Sequence, residues 1–176
     1  MSASSCTPPN PNFIEATKQF LMAMPIAQHF GFDITDVAPG RFEITQPFRR
    51  ELSFREGVFQ AGPIGTLADM AAACAAATML PDGWAASTVD YTLKLLAPAV
   101  GDKLVARGRV LRSGRTLSVA AADVFSVRDG EETLCATALT TIRNFESPAL
   151  FRQKTRPIFP VPPPDLDSPP DRFCPG

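Results

Sequence analysis

The chain has 176 residues, 45% of them hydrophobic, which suits one domain of ordinary size with a real core. Its 17 basic and 18 acidic residues nearly cancel, so no cationic excess exists to hold a nucleic-acid backbone. A single histidine, His29, excludes multi-histidine zinc sites and leaves at most one imidazole for a Ser-His-Asp triad.

The first twelve residues, MSASSCTPPNPN, are polar and proline-rich, with no basic cluster leading into an apolar run, and read as a short tail rather than a secretory signal. Phe13–Ala23 then spaces Phe13, Ile14, Thr17, Phe20 and Leu21 as a helix does, and Pro25–Phe30 adds a short helical turn. Asp33–Val37 and Arg41–Pro47 are predicted strands around the Pro39-Gly40 turn. Pro63–Leu80 is a predicted helix, with Pro63 at its first position and Gly62 as its cap. Four strands follow: Ser87–Leu96, Lys103–Arg112, Arg115–Val127 and Glu131–Asn144, the later turns falling at Ser113-Gly114 and Arg128-Asp129-Gly130. In the first of these, Val89, Tyr91, Leu93 and Leu95 alternate with Thr88, Asp90, Thr92 and Lys94, which puts Asp90 on the face of Thr88. Of 18 prolines, nine lie after Phe145, so residues 147–176 read as an extended tail. The predicted domain therefore spans residues 13–146. The order of elements is α+β, a sheet wrapped on one long helix.

That helix, PIGTLADMAAACAAATML, carries no Lys, Arg, Glu, Asn or Gln. A surface helix of a monomer needs a polar stripe. One sheet covers one side only, so a second subunit is the expected cover for the other, and the helix contributes to a dimer interface. Asp69 is its one charge. Desolvation among Gly65, Ala72 and Ala73 raises such a carboxylate's pKa and suits it to general-base work; the plainer reading is that it points to solvent or favours the helix start. With Asp69 in its middle and half its residues small alanines, the stretch also falls short of a membrane span. The four cysteines, Cys6, Cys74, Cys135 and Cys174, show no C-x-x-C spacing and read as thiols of a reducing compartment, so a soluble cytoplasmic protein is expected.

Three segments together resemble a known family. Gly57–Asp69 (GVFQAGPIGTLAD) is similar to the HGG-x-x-x-L-x-D signature of PaaI-type hotdog thioesterases. Ser87–Asp102 (STVDYTLKLLAPAVGD) resembles their T-V-D-(F/Y)…P-A-x-G-(D/E) run, and Val110–Leu117 (VLRSGRTL) their V-x-x-x-G-R-T-L hairpin. The resemblance implies a hotdog fold, a dimer joined edge to edge with pairs of dimers common, and hydrolysis of acyl-CoA thioesters at two interface sites without metal or organic cofactor. It assigns the catalytic carboxylate to Asp69, the carbonyl-polarising backbone N–H groups to Ala61 and Gly62, and an orienting hydroxyl to Thr88. The chain departs from the pattern at Gln60, where the family has histidine, at Ala61, where it has glycine, and at Phe54, where some members place Asn or Gln. Gln60 keeps a donor and an acceptor but no protonation role. Arg112 and Arg115, with Lys94 and Arg107 on nearby strands, are candidates for the CoA phosphates or are ordinary surface charge.

Other residues receive structural readings: His29 lies over thirty residues before the helix where hotdog dehydratases use theirs, Trp84 plugs the helix end rather than recognising an acyl group, and Cys74 is a small hydrophobe. The alternative to an enzyme is a hotdog dimer that binds an acyl-CoA or acyl ligand without turnover, favoured by Gln60, Ala61 and Phe54. A hydratase is a third reading, disfavoured by the position of His29.

Overall fold

Long antiparallel strands dominate the computed structural model, which describes residues 8–147. Cys6, Cys174 and nearly all of the proline-rich tail lie outside the described residues. Two helices come first, α1 (Phe13–Met22) and α2 (Pro25–Phe30), then strands β1 (Asp33–Ala38) and β2 (Arg41–Pro47). A two-stranded ribbon, β3 (Ser53–Arg55) with β4 (Val58–Phe59), leads into the long helix α3 (Ala61–Ala77). Strands β5 (Trp84–Leu95), β6 (Lys103–Arg112), β7 (Leu117–Arg128) and β8 (Glu131–Glu146) follow. The main sheet is antiparallel in the order β1-β2-β6-β7-β8-β5, and α3 packs across it, touching β2, β5, β6, β7 and β8. This is the α+β hotdog arrangement, one helix held by a curved sheet.

Small residues set how closely the helix approaches. Leu67, Ala68, Ala71, Ala72, Ala75 and Ala76 are fully buried, against Ala106, Ala120, Ala122 and Val124 on the sheet. At the crossing with β6, an added Cβ on Gly108 would lie 2.0 Å from the Ala71 carbonyl oxygen. Only a glycine permits that approach.

The ends of α3 differ from the predicted ones. The helix begins at Ala61, not Pro63, and its cap is Gln60 rather than Gly62. Gln60 is extended (φ −86°, ψ 151°) and its side-chain oxygen accepts the Gly62 N–H. Proline is tolerated in any position of the first turn, where N–H groups have no intrahelical partner, so Pro63 does not mark the first residue. At the other end Thr78 closes the helix: its hydroxyl donates to the Ala75 carbonyl at 2.7 Å and accepts the Gly40 N–H at 2.8 Å. Strand β7 likewise starts at Leu117 because the preceding loop is tied to β8, Asn144 Nδ2 donating to the Gly114 carbonyl at 2.7 Å.

The single protomer leaves part of α3 open. Thr66, Asp69, Met70, Ala73 and Ala77 form a half-buried stripe, and Ala61 and Gly62 are exposed. Beside the stripe runs β5, the last strand of the sheet, with Val89 62% and Leu95 54% exposed. A long apolar edge of this kind is a template for another chain. Asn10, placed by sequence in the tail, is buried against the start of α1, its carbonyl accepting the Phe13 N–H.

Candidate active site

Asp69 sits midway along the open stripe of α3 and faces β5. Thr88 Oγ1 donates to Asp69 Oδ1 at 2.8 Å. Burial pushes the carboxyl above the usual aspartate range, and the Thr88 hydroxyl, by bonding the charged form, offsets part of that rise. No other side chain hydrogen-bonds the carboxylate among the described residues. One oxygen is thus anchored and the other is left for a proton or a water.

The strand carrying Thr88 is not regular. Thr88 pairs with Ile142 but Asp90 pairs with Thr141, so Val89 is an extra residue, a β-bulge. Beyond it the faces exchange. Tyr91, Leu93 and Leu95 share the helix side with Thr88, while the exposed Asp90 points to the opposite face. The predicted alternation, and with it Asp90 beside Thr88, is corrected by this bulge. Tyr91 was not singled out in the sequence. Its ring lies over Gly65, where an added Cβ would be 3.3 Å from Tyr91 Oη and 3.4 Å from Leu93 Cδ2. Gly65 and Asp69 are one helical turn apart, so the phenol borders the carboxylate's cleft.

Gln60, Ala61 and Gly62 stand together at the N-terminus of α3, exposed, at the meeting of two clefts. One, of about 250 Å³, is bounded by Phe54, Val58, Ile64 and Leu95; the other, of about 340 Å³, by Phe30, Leu52, Ser53 and Thr66. Phe54 is 74% exposed and offers the site no polar group. Gly62 N–H is already bonded to Gln60, so Ala61 N–H is the donor left to a ligand carbonyl. Eight residues of helix separate Ala61 from Asp69, about 12 Å of rise. The two groups are thus set well apart along one helix.

Arg112 and Arg115 are exposed on either side of the β6–β7 turn, at the end of the sheet where β5 begins, away from the start of α3. Among the described residues neither pairs with a carboxylate. Arg107 is committed elsewhere: it bonds Glu43 at 2.7 Å and Glu132 at 2.6 and 2.7 Å, and covers the Phe125 ring. These contacts raise its already high pKa and lower that of Glu132. His29 is exposed on α2 with its ring edge on Phe30. Cys74 is fully buried, which together with the charge of Asp69 pushes its thiol up to about 12. Among the described residues no three His, Cys, Asp or Glu side chains gather as metal ligands, and no helix is long and apolar enough to cross a membrane.

The sequence profile of the thioesterase superfamily matches residues 57–133, from the approach to α3 through most of the sheet. Among solved structures, a thioesterase family protein from Silicibacter pomeroyi is 31% identical, with a TM-score of 0.74 over 77% of this chain and 99% of that one. A thioesterase from Haemophilus influenzae shares the fold at 23% identity, with a TM-score of 0.65 over 72% of this chain and 86% of that one. The PaaI protein of the Escherichia coli phenylacetic acid degradation operon does so at 20% identity, with a TM-score of 0.68 over 79% and 97%. No curated protein sequence matches significantly.

Proposed function

The chain belongs to the thioesterase superfamily, and from that premise we propose that it hydrolyses acyl-CoA thioesters at a site built from two protomers. The observation that carries this reading is the half-buried Asp69, anchored through one oxygen by Thr88 and raised in pKa by burial. Asp69 of one protomer takes a proton from water as the water oxygen bonds to the thioester carbon. The negative charge that forms on the carbonyl oxygen is met by the N–H of Ala61 of the partner subunit, at the positive end of its helix. When the C–S bond breaks, protonated Asp69 returns the proton to the departing thiolate, leaving a free acid and CoA. Direct attack by Asp69 to form an anhydride, which water then opens, uses the same groups. Arg112 and Arg115 of the partner subunit are the candidates for the CoA phosphates. No metal or organic cofactor enters this scheme.

Two features support a shared site. The roughly 12 Å of helix rise between Ala61 and Asp69 is about twice the ~6 Å that two groups each about 3 Å from one carbon can span. The apolar edge of β5 beside Asp69 supplies the surface over which a second copy would close.

The test is thiol release from a panel of acyl-CoAs. The wild-type protein turns over at least one of them, and Asp69→Asn lowers kcat by a factor of about 100 or more. Turnover within a few-fold of wild type would remove Asp69 from this role.

A second reading, an acyl-CoA binding module without turnover, is favoured by one contact. Gln60 places its own oxygen on the Gly62 N–H, where a substrate oxygen would otherwise go. Tight binding with no thiol release at any chain length, in wild type and in Gln60→Ala alike, would establish that reading instead.

A further inference from the structure

From the geometry of α3 and β5 we infer that the acyl chain lies in a groove running away from Asp69 towards the C-terminal end of the helix, and that Trp84 closes this groove and sets the longest chain admitted. The inference rests on Asp69 marking the reacting end. Ala73 and Ala77 continue the half-buried stripe of α3 beyond Asp69, and Ala86 and Trp84 continue β5 beyond Thr88 in the opposite chain direction. All of these residues are partly accessible, and Ala73, Ala77 and Ala86 present only methyl groups.

The groove ends in a cavity of about 30 Å³ bordered by Phe13, Phe20, Ala77, Trp84 and Ala86, and also by the polar Asn10, Thr17 and Asp82. Ala77 is eight residues beyond Asp69, about 12 Å along the axis. A linear acyl chain of roughly eight to ten carbons reaches that distance from a carbonyl held at Asp69. The size of the end cavity decides the class of group it takes. An engineered cavity that holds benzene measures about 150 Å³, so this one admits the last one or two carbons of a chain and not an aromatic ring. The favoured substrate is therefore a medium-length linear acyl-CoA rather than an aryl-acyl one. This assignment gives Trp84 the acyl contact that the sequence reading sets aside in favour of a plug at the helix end.

The experiment compares butanoyl-, octanoyl-, decanoyl-, tetradecanoyl- and phenylacetyl-CoA with wild type, Ala77→Leu and Trp84→Ala. Each methylene that loses its apolar contact costs about fourfold in binding. Ala77→Leu, which fills the cavity, is expected to lower kcat/KM for decanoyl-CoA by about tenfold or more while butanoyl-CoA stays within twofold. Trp84→Ala, which opens it, is expected to move the optimum towards tetradecanoyl-CoA. Octanoyl-CoA should exceed phenylacetyl-CoA by about tenfold in the wild type. The same comparisons are made by calorimetric binding in the Asp69→Asn background, which reads the groove even where no thioester is cleaved. If hydrolysis is absent but the chain-length pattern appears in binding, the groove stands and the hydrolytic reading falls. If the preference for chain length is the same in all three proteins by both measures, or if phenylacetyl-CoA is preferred, the groove assignment is overturned.

Discussion

Thr88 Oγ1 and Asp69 Oδ1, nineteen residues apart in sequence, are 2.8 Å apart between the sheet edge and the central helix. The bond holds the carboxylate on the open stripe of α3 and opposes the rise in pKa that burial imposes. Thr88→Ala removes a bond that favours the charged form. The acidic limb of kcat/KM should then move to higher pH. Thr88→Ser should restore it. A limb that does not move in Thr88→Ala would show that the hydroxyl has no hold on the carboxylate during turnover.

The same pKa has a consequence for stability. In the folded state Asp69 holds its proton to higher pH than in the unfolded chain. Between the ordinary aspartate value, about 3.9, and the raised one, the native state binds more protons, so stability falls as pH rises through that window. Asp69→Asn should therefore match wild type in denaturant midpoint below about pH 3.5 and exceed it at neutral pH. Equal midpoints at neutral pH would contradict a destabilising charge at this position.

A two-protomer site predicts complementation. Ala61 is the first residue of α3, and Gln60 before it is extended, so Ala61→Pro deletes the N–H while leaving the helix intact. That variant and Asp69→Asn should each lose a factor of about 100 to 1,000 in kcat. Co-expressed in equal amounts, they should recover about a quarter of wild-type activity, since half the dimers are mixed and each mixed dimer has one intact site. Absence of recovery in verified mixed dimers would place both groups of one site on a single chain.

Gly108→Ala tests the packing that brings α3 to the sheet. The added methyl would meet the Ala71 carbonyl at 2.0 Å, and backbone lies on both sides. The loss of stability should be about 3 kcal/mol, with activity falling as the helix is pushed outward. Gly65→Ala, whose methyl meets only Tyr91 and Leu93 at 3.3 to 3.4 Å, should be far milder in stability and should act on the site itself. A thermal midpoint for Gly108→Ala close to wild type would refute the close approach.

Much of this was legible in the chain. The order of strands and helices follows from hydrophobic period and turn residues, and the alanine-rich helix with one acid marked both the centre of the fold and the residue at the candidate site. The bulge at Val89 was not legible, because an inserted residue reads as ordinary alternation until its pairing with β8 is known. Plain alternation therefore puts Asp90 on the wrong face and gives no sign of Tyr91 beside the site. Gln60 was read as a substitute for a family histidine, and its capping of α3 became visible only once the helix start was located at Ala61.

What the sequence determined alone is the kind of fold and the identity of the one acid on its central helix, since both depend on local period and composition. What the tertiary structure decided is orientation: which face Thr88 and Tyr91 share, and that Asp69 meets Thr88 across the gap between helix and sheet edge. Those are set by cross-strand register and helix rise, long-range geometry that no local pattern of residues encodes.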